Sequence, residues 1–204
     1  MKNFVNSCFV PGIPDEQFIR DKVPMTKEEI RTVTLSKLRP NSADIIYDIG
    51  AGSGSISVEC SLLAPEGKVY AIERNPKATE LIAKNKQKFK CANLEIIRGL
   101  APKALTELPP PHKVVIGGSG GNLEEILELL DKKLLPKGRI VINAILLETL
   151  SAALNYYQAK SNYKVEFVQM AISKAERVAD LNMMKAYNPI YIITAEKNNN
   201  QGVK

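Results

Sequence analysis

Cysteine and histidine are scarce in this chain. Cys8, Cys60 and Cys91 are the only three cysteines in 204 residues, widely spaced and odd in number. They offer no metal-ligand spacing and no disulfide framework, and read as buried or half-buried thiols of a reducing compartment. The sole histidine, His112, follows a proline run and precedes a strand-like stretch. That places it at the strand's entry, as a surface or packing residue, away from any crevice at the strand exits. No apolar run approaches the roughly 20 residues that span a membrane. "MKNFVNSCFVPG" has no long apolar core, which argues against a secretory signal. No arginine-glycine or aromatic-basic run suggests a single-strand nucleic-acid platform. The triphosphate loop G-x-x-x-x-G-K-[ST] is missing altogether.

What remains is an ordinary soluble composition, 45% hydrophobic and 25% charged, with a net charge of +6. The length suits one sizeable domain. The positive balance suits a polyanionic partner, although the lysines are scattered except around residues 84–90, which read as the end of an exposed helix. Residues 1–25 are irregular and proline-rich, 26–197 form the domain, and 198–204 read as a frayed tail.

Within the domain, helices and strands alternate. "MTKEEIRTVTLSKL" opens with Thr26 and Glu29 in capping-box spacing. Then follow strand "DIIYDIG", helix "SISVECSLLA", strand "KVYAIER" and helix "PKATELIAKNKQKF", whose proline suits a first turn. "LEIIRG", "KVVIGG" and "GRIVINAI" are further strands. Between them lie the short helix "APKALTEL" and the helix "NLEEILELLDKKL", for which Asn122 is the expected cap. After "LETLSAALNYYQAK" the pattern changes. "YKVEFVQMAIS" and "PIYIITAEK" read as an antiparallel pair, with an irregular insert, 174–188, between them. The fold predicted is α/β and Rossmann-like: a mostly parallel seven-stranded sheet with an antiparallel C-terminal strand and helices on both faces.

The glycines of "YDIGAGSGSISVE" identify the ligand class. Gly50 and Gly52 fit the dinucleotide fingerprint G-x-G-x-x-G, but its third glycine would fall on Ser55. The pattern is instead acid-x-G-x-G-x-G, with Asp48, Gly50, Gly52 and Gly54. This resembles motif I of class I methyltransferases that use S-adenosylmethionine. Glycines permit close backbone approach to the ligand's amino-acid part and allow positive φ. Asp48 lies near a ligand carrying an ammonium and a sulfonium. Glu73, at the end of the second strand, suits both ribose hydroxyls. The glycine loop, Gly50, Ala51, Gly52, Ser53 and Gly54, is thus the predicted cofactor site, together with Glu73. Leu100 and Ala101 are expected to wall the adenine. Many methyltransferases of this fold carry an acid where Leu100 stands, so backbone groups must serve there.

The resemblance extends further. "GIPDEQFIRDKVPMTKEEIR", "DIGAGSGSISVE", "YAIERNP", "GLAPKAL", "IGGSGG" and "NAILLETL" occur in one order. Together they resemble the decarboxylating cobalt-precorrin-6B carbon-15 methyltransferases of cobalamin biosynthesis, from about Gly12 to Glu196. The resemblance implies methyl transfer from S-adenosylmethionine to carbon 15 of a polyanionic tetrapyrrole, and loss of carbon dioxide from the ring C acetate. It implies a cytoplasmic homotetramer, and it admits the carbon-5 methyltransferase of the pathway as a further partner. It also places the N-terminal segment, with Thr26, over the cofactor. Gly118, Ser119 and Gly120 are the expected substrate contacts, leaving room for a flat macrocycle and exposing N–H donors to its carboxylates. No metal ligand, nucleic acid or membrane is expected.

Alignment is most of what methyl transfer requires. Decarboxylation gains from a general acid. Asn143 and Glu148, after the fifth strand, are the candidates, Glu148 with a raised pKa in apolar surroundings or simply as a helix-start carboxylate. Lys174 and Arg177 are candidates for substrate carboxylates, and equally for a solvated loop. Two rivals remain: an RNA or protein methyltransferase of this fold, and a non-catalytic subunit that binds S-adenosylmethionine.

Overall fold

The computed structural model describes residues 9–199. Cys8 and the tail from residue 200 lie outside them, as does the start of the N-terminal segment.

The expected alternation is present. Helix α1 (Glu28–Leu38) precedes β1 (Ile45–Ile49), α2 (Ser55–Leu63), β2 (Lys68–Glu73), α3 (Pro76–Lys88) and β3 (Leu94–Arg98). Then come β4 (Lys113–Ile116), α4 (Leu123–Lys133), β5 (Arg139–Ala144), α5 (Leu147–Gln158), β6 (Tyr163–Met170), β7 (Ser173–Val178), β8 (Leu181–Ala186) and β9 (Ile190–Lys197). "APKALTEL" forms only a short 3-10 turn, Lys103–Leu105. Helix α3 starts as its sequence predicts: Pro76 occupies the first turn and the Asn75 side chain accepts from the Lys77 amide at 3.0 Å.

Seven strands form one sheet in the order β3-β2-β1-β4-β5-β9-β6. All neighbouring pairs are parallel except the two made by β9, which runs antiparallel to both β5 and β6. This is the ground plan expected of class I methyltransferases. The central strands read as apolar runs because both their faces are covered. Tyr47, Ile49, Val114, Ile116, Ile140 and Ile142 pack toward α4 and α5. Ile46, Val69, Ala71, Val115 and Val141 pack toward α1, α2 and α3.

The segment read as an irregular insert is not irregular. It forms the two-stranded hairpin β7–β8, apart from the main sheet. Every residue of β8 is exposed, so the hairpin has no buried face and its sequence shows no alternation. His112 sits where expected, at the entry side of the sheet, with Nδ1 accepting the Ile45 amide at 3.0 Å.

Candidate active site

A cavity of about 500 Å3 opens where β1, β2, β3 and β4 end. Open α/β sheets bind ligands at these carboxyl ends. Gly50, Ala51 and Gly52 form its floor beside Asp48. Glycine is required here by the protein as well as by any ligand. At Gly50, φ is +72° and a Cβ would lie 2.5 Å from the Gly118 carbonyl oxygen. At Gly52, φ is +56° and a Cβ would lie 2.9 Å from the carbonyl oxygen of Pro24. The loops after β1 and β4 therefore touch backbone to backbone, and the N-terminal segment rests on the glycine loop. Ser53 and Gly54 lie just behind the cavity and do not line it. They carry the loop into α2, with the Ser53 carbonyl accepting from the Asn85 side chain at 3.0 Å.

Two carboxylates meet this floor. Glu73 accepts the Gly52 amide at 3.0 Å through Oε2 and the Asn75 amide at 2.8 Å through Oε1. These bonds fix its plane and leave a lone pair on each oxygen. Asp48 is buried beside it and accepts from the Ser57 hydroxyl. Burial pushes the Asp48 carboxyl up to about 6; the Ser57 hydrogen bonds oppose this and the charge of Glu73 adds to it.

The N-terminal segment closes the other side, as Val23, Pro24, Met25 and Thr26 line the cavity. Its anchors are polar side chains inside the protein. Glu59 on α2 accepts the Gly12 and Ile13 amides at 2.8 and 3.2 Å. Arg31 on α1 is fully buried, pairs with Glu59, and donates to the carbonyls of Ile13 and Thr26. Asn85 accepts the Ile19 amide at 2.8 Å and donates to Ser53 on the glycine loop. Two sets of hydrogen bonds thus fasten the segment, one to α1 and α2 and one through α3 to the glycine loop. The sequence carried a signal for the first, an acid inside the apolar run "SISVECSLLA".

The Thr26 capping box does not form. Helix α1 starts at Glu28, and its flanking Lys27 makes no side-chain cap. The Glu29 carboxylate is drawn to Lys174 instead, and the Thr26 carbonyl accepts from Arg31. Asn122 likewise makes no side-chain cap on α4; its amide donates to the Ala101 carbonyl at 3.2 Å. It holds the wall formed by Leu100 and Ala101, both of which line the cavity.

Gly118, Ser119 and Gly120 line the cavity as predicted. Their donors are fewer than predicted, because the Gly117 and Gly118 amides both turn to the Ile49 carbonyl, at 2.9 and 3.3 Å. The two candidates for the general acid do not reach the cavity. Strand alternation turns Asn143 toward α1, where it accepts from the Thr34 hydroxyl at 3.1 Å. Glu148 stands exposed in the first turn of α5. Lys174 is paired with Glu29, and Arg177 lies 3.5 Å from Asp180 near the hairpin's turn. The far wall instead uses Ile145, Met170, Ile172, Tyr187 and Asn188, which no local motif announces.

A family model for the precorrin methyltransferase domain matches residues 16–197. The chain belongs to the precorrin methyltransferase family. Within it, the chain is 46% identical over 190 residues to a probable cobalt-precorrin-6B C(15)-methyltransferase (decarboxylating) of Sulfurisphaera tokodaii, covering 92% of this chain and 98% of that one. Among solved structures, a precorrin-6y C5,15-methyltransferase from Geobacter metallireducens superposes with a TM-score of 0.86 at 43% identity. The match covers 92% of this chain and 99% of that one. A protein of Methanobacterium thermoautotrophicum titled precorrin 8w decarboxylase gives a TM-score of 0.82 at 35% identity, covering 89% and 98%. The glycine loop, Glu73 and the 117–121 loop all lie inside the matched region of this precorrin methyltransferase.

Proposed function

We infer that the protein transfers a methyl group from S-adenosylmethionine to carbon 15 of cobalt-precorrin-6B and removes the ring C acetate carboxyl as carbon dioxide. One observation carries this reading. The glycine loop with Asp48 and Glu73, and the loop Gly118–Gly120 that touches it, line one cavity in a chain of the precorrin methyltransferase family.

The residues fit this cofactor. Two carboxylates at one end of the cavity suit a cationic ligand, and the volume is ample for a nucleoside joined to an amino acid. Bound there, S-adenosylmethionine supplies a methyl group activated by its sulfonium. Glu73 would accept the ribose hydroxyls through the lone pairs its backbone bonds leave free. Gly50, Ala51 and Gly52, backed by Ser53 and Gly54, would receive the amino-acid part, with Thr26 above. Leu100 and Ala101 would wall the adenine. Ser119 and Gly120 would meet the macrocycle, whose conjugated carbons provide the nucleophile, so the protein's part is alignment. Excluding water from the reacting groups falls to Pro24, Met25 and the apolar far wall.

Assembly as a cytoplasmic homotetramer belongs to the same reading. Leu181 and Met184, 77% and 65% exposed on the hairpin, are the apolar surface best placed to be covered by another copy.

Calorimetric titration with S-adenosylhomocysteine, with NADH as control, tests the cofactor. Saturable binding of the first alone is expected. Gly52→Val should abolish it, because the new side chain meets Pro24. Mass spectrometry of the product from enzymatically made precorrin should then show one methyl gained and one carboxyl lost. A methylated product that keeps every carboxyl would remove the decarboxylating half of the reading.

A further inference from the structure

We propose that Arg74, together with the backbone amides of Ser119 and Gly120, forms a carboxylate-binding site that grips one peripheral acid group of the tetrapyrrole. This rests on the methyltransferase reading above and adds to it a residue that determines substrate affinity.

The charges around the cavity lead to Arg74. The lining carries two cations on its own wall, Lys27 and Arg74. Lys27 lies 3.5 Å from Asp15. Lys174, just beyond the lining, is held by Glu29. Asp48 and Glu73 are occupied by Ser57 and by two backbone amides. Arg74 alone among these charged groups makes no ion pair and no side-chain hydrogen bond among the described residues.

Its position is specific. Arg74 directly follows Glu73 at the end of β2, yet its guanidinium reaches the loop after β4. A Cβ at Gly120 would stand 3.6 Å from Nη1 and 3.8 Å from Cζ of Arg74. The side chain therefore reaches from the end of β2 to Gly120 at the cavity wall, where a larger residue would crowd it. Below it, the Gly117 and Gly118 amides are spent on Ile49. Those of Ser119 and Gly120 make no hydrogen bond among the described residues. A planar five-donor fork beside two free amides is a good match for a carboxylate. A polycarboxylate macrocycle must pass this point to approach the floor, where Asp48 and Glu73 would otherwise repel it.

The test uses Arg74→Met and Arg74→Lys, with two probes on the full chain. Uroporphyrin, a tetrapyrrole with eight carboxylates, is titrated by its fluorescence, and S-adenosylhomocysteine by calorimetry. The expected result is a loss of about tenfold or more in uroporphyrin affinity for the Met variant. The Lys variant should keep part of it, and the S-adenosylhomocysteine affinity should stay within about twofold. The salt dependence of uroporphyrin binding should also become shallower in Arg74→Met. With precorrin as substrate, KM should rise while kcat holds. Unchanged uroporphyrin binding in both variants overturns the proposal, as does a wild type that binds S-adenosylhomocysteine but not uroporphyrin. A parallel fall in both affinities also overturns it, because Arg74 would then be covering the adenine. Failure of the wild type to bind S-adenosylhomocysteine would count against the methyltransferase reading itself, a separate outcome from these.

Discussion

Asp48 holds its carboxyl in an unfavourable place for charge, buried and beside a second carboxylate. Its carboxyl sits near pH 6 rather than 3.8, so the folded state binds this proton more tightly than the unfolded chain does. The sign follows. The stabilisation is complete below about pH 3.8 and is lost as pH rises through about 6. Above that, the ionised group costs the fold up to about 3 kcal/mol. Asp48→Asn should therefore melt at a higher temperature than wild type at pH 8, and the gap should close toward pH 4. A cationic ligand reverses the preference, since it stabilises the carboxylate. The same variant should bind S-adenosylmethionine more weakly at pH 8, and wild-type affinity should fall as pH drops below about 6. Melting curves and titrations across that range check both halves. A melting difference that does not vary with pH would mean that Asp48 is not the titrating group. Asp48, the glycines and Glu73 were legible in the sequence because each sits at a strand end, within reach of its own local pattern. Arg74 was passed over because only the fold brings it to Gly120, 46 positions further on.

At the scale of elements, the sheet and its helices could be read from period and punctuation, because the central strands bury both faces and most of the helices bury one. The hairpin β7–β8 could not, since nothing in it is buried. The N-terminal segment was placed over the cavity by resemblance alone, and of its fastening only Glu59, an acid inside an apolar run, left a trace in the sequence. Arg31 and Asn85 look like ordinary helix residues until the fold brings them to the segment. Their role is testable. Glu59→Gln removes the fully buried one of the two carboxylates that pair with Arg31 and leaves Asp15 at 3.2 Å, so the cost should lie toward the lower end of the about 3–5 kcal/mol of a broken buried pair. It also weakens the hold on Gly12 and Ile13. Hydrogen exchange should rise first in residues 12–26, ahead of the sheet, and S-adenosylhomocysteine should bind less tightly. Uniform acceleration across the whole domain would show that the pair supports the fold at large, and that the segment has no separate fastening. Asn85→Ala is the milder companion, loosening Ile19 and the Ser53 carbonyl while leaving the ion pair intact.

For the whole molecule, the hairpin is tied to the far wall of the cavity. Ile172 and Tyr187 flank it, are joined by a backbone hydrogen bond of 2.9 Å, and both line the cavity. Lys174 on β7 pairs with Glu29 at the start of α1. A contact that steadies β7–β8 therefore steadies the far wall of the site. On the homotetramer reading, Leu181→Asp with Met184→Asp places charges where another copy should pack. Light scattering after gel filtration should show four chains per particle for the wild type and fewer for the double variant. Its circular dichroism should be unchanged, because neither side chain belongs to either core cluster. The affinity for S-adenosylhomocysteine should hold, since the glycine loop and Glu73 lie on the opposite wall. Turnover of precorrin should fall through a higher KM, since the far wall proposed to close over the reacting groups has lost its support. A particle of unchanged size would move the interface elsewhere on the surface. A smaller particle with unchanged KM would keep the interface and sever its link to the site.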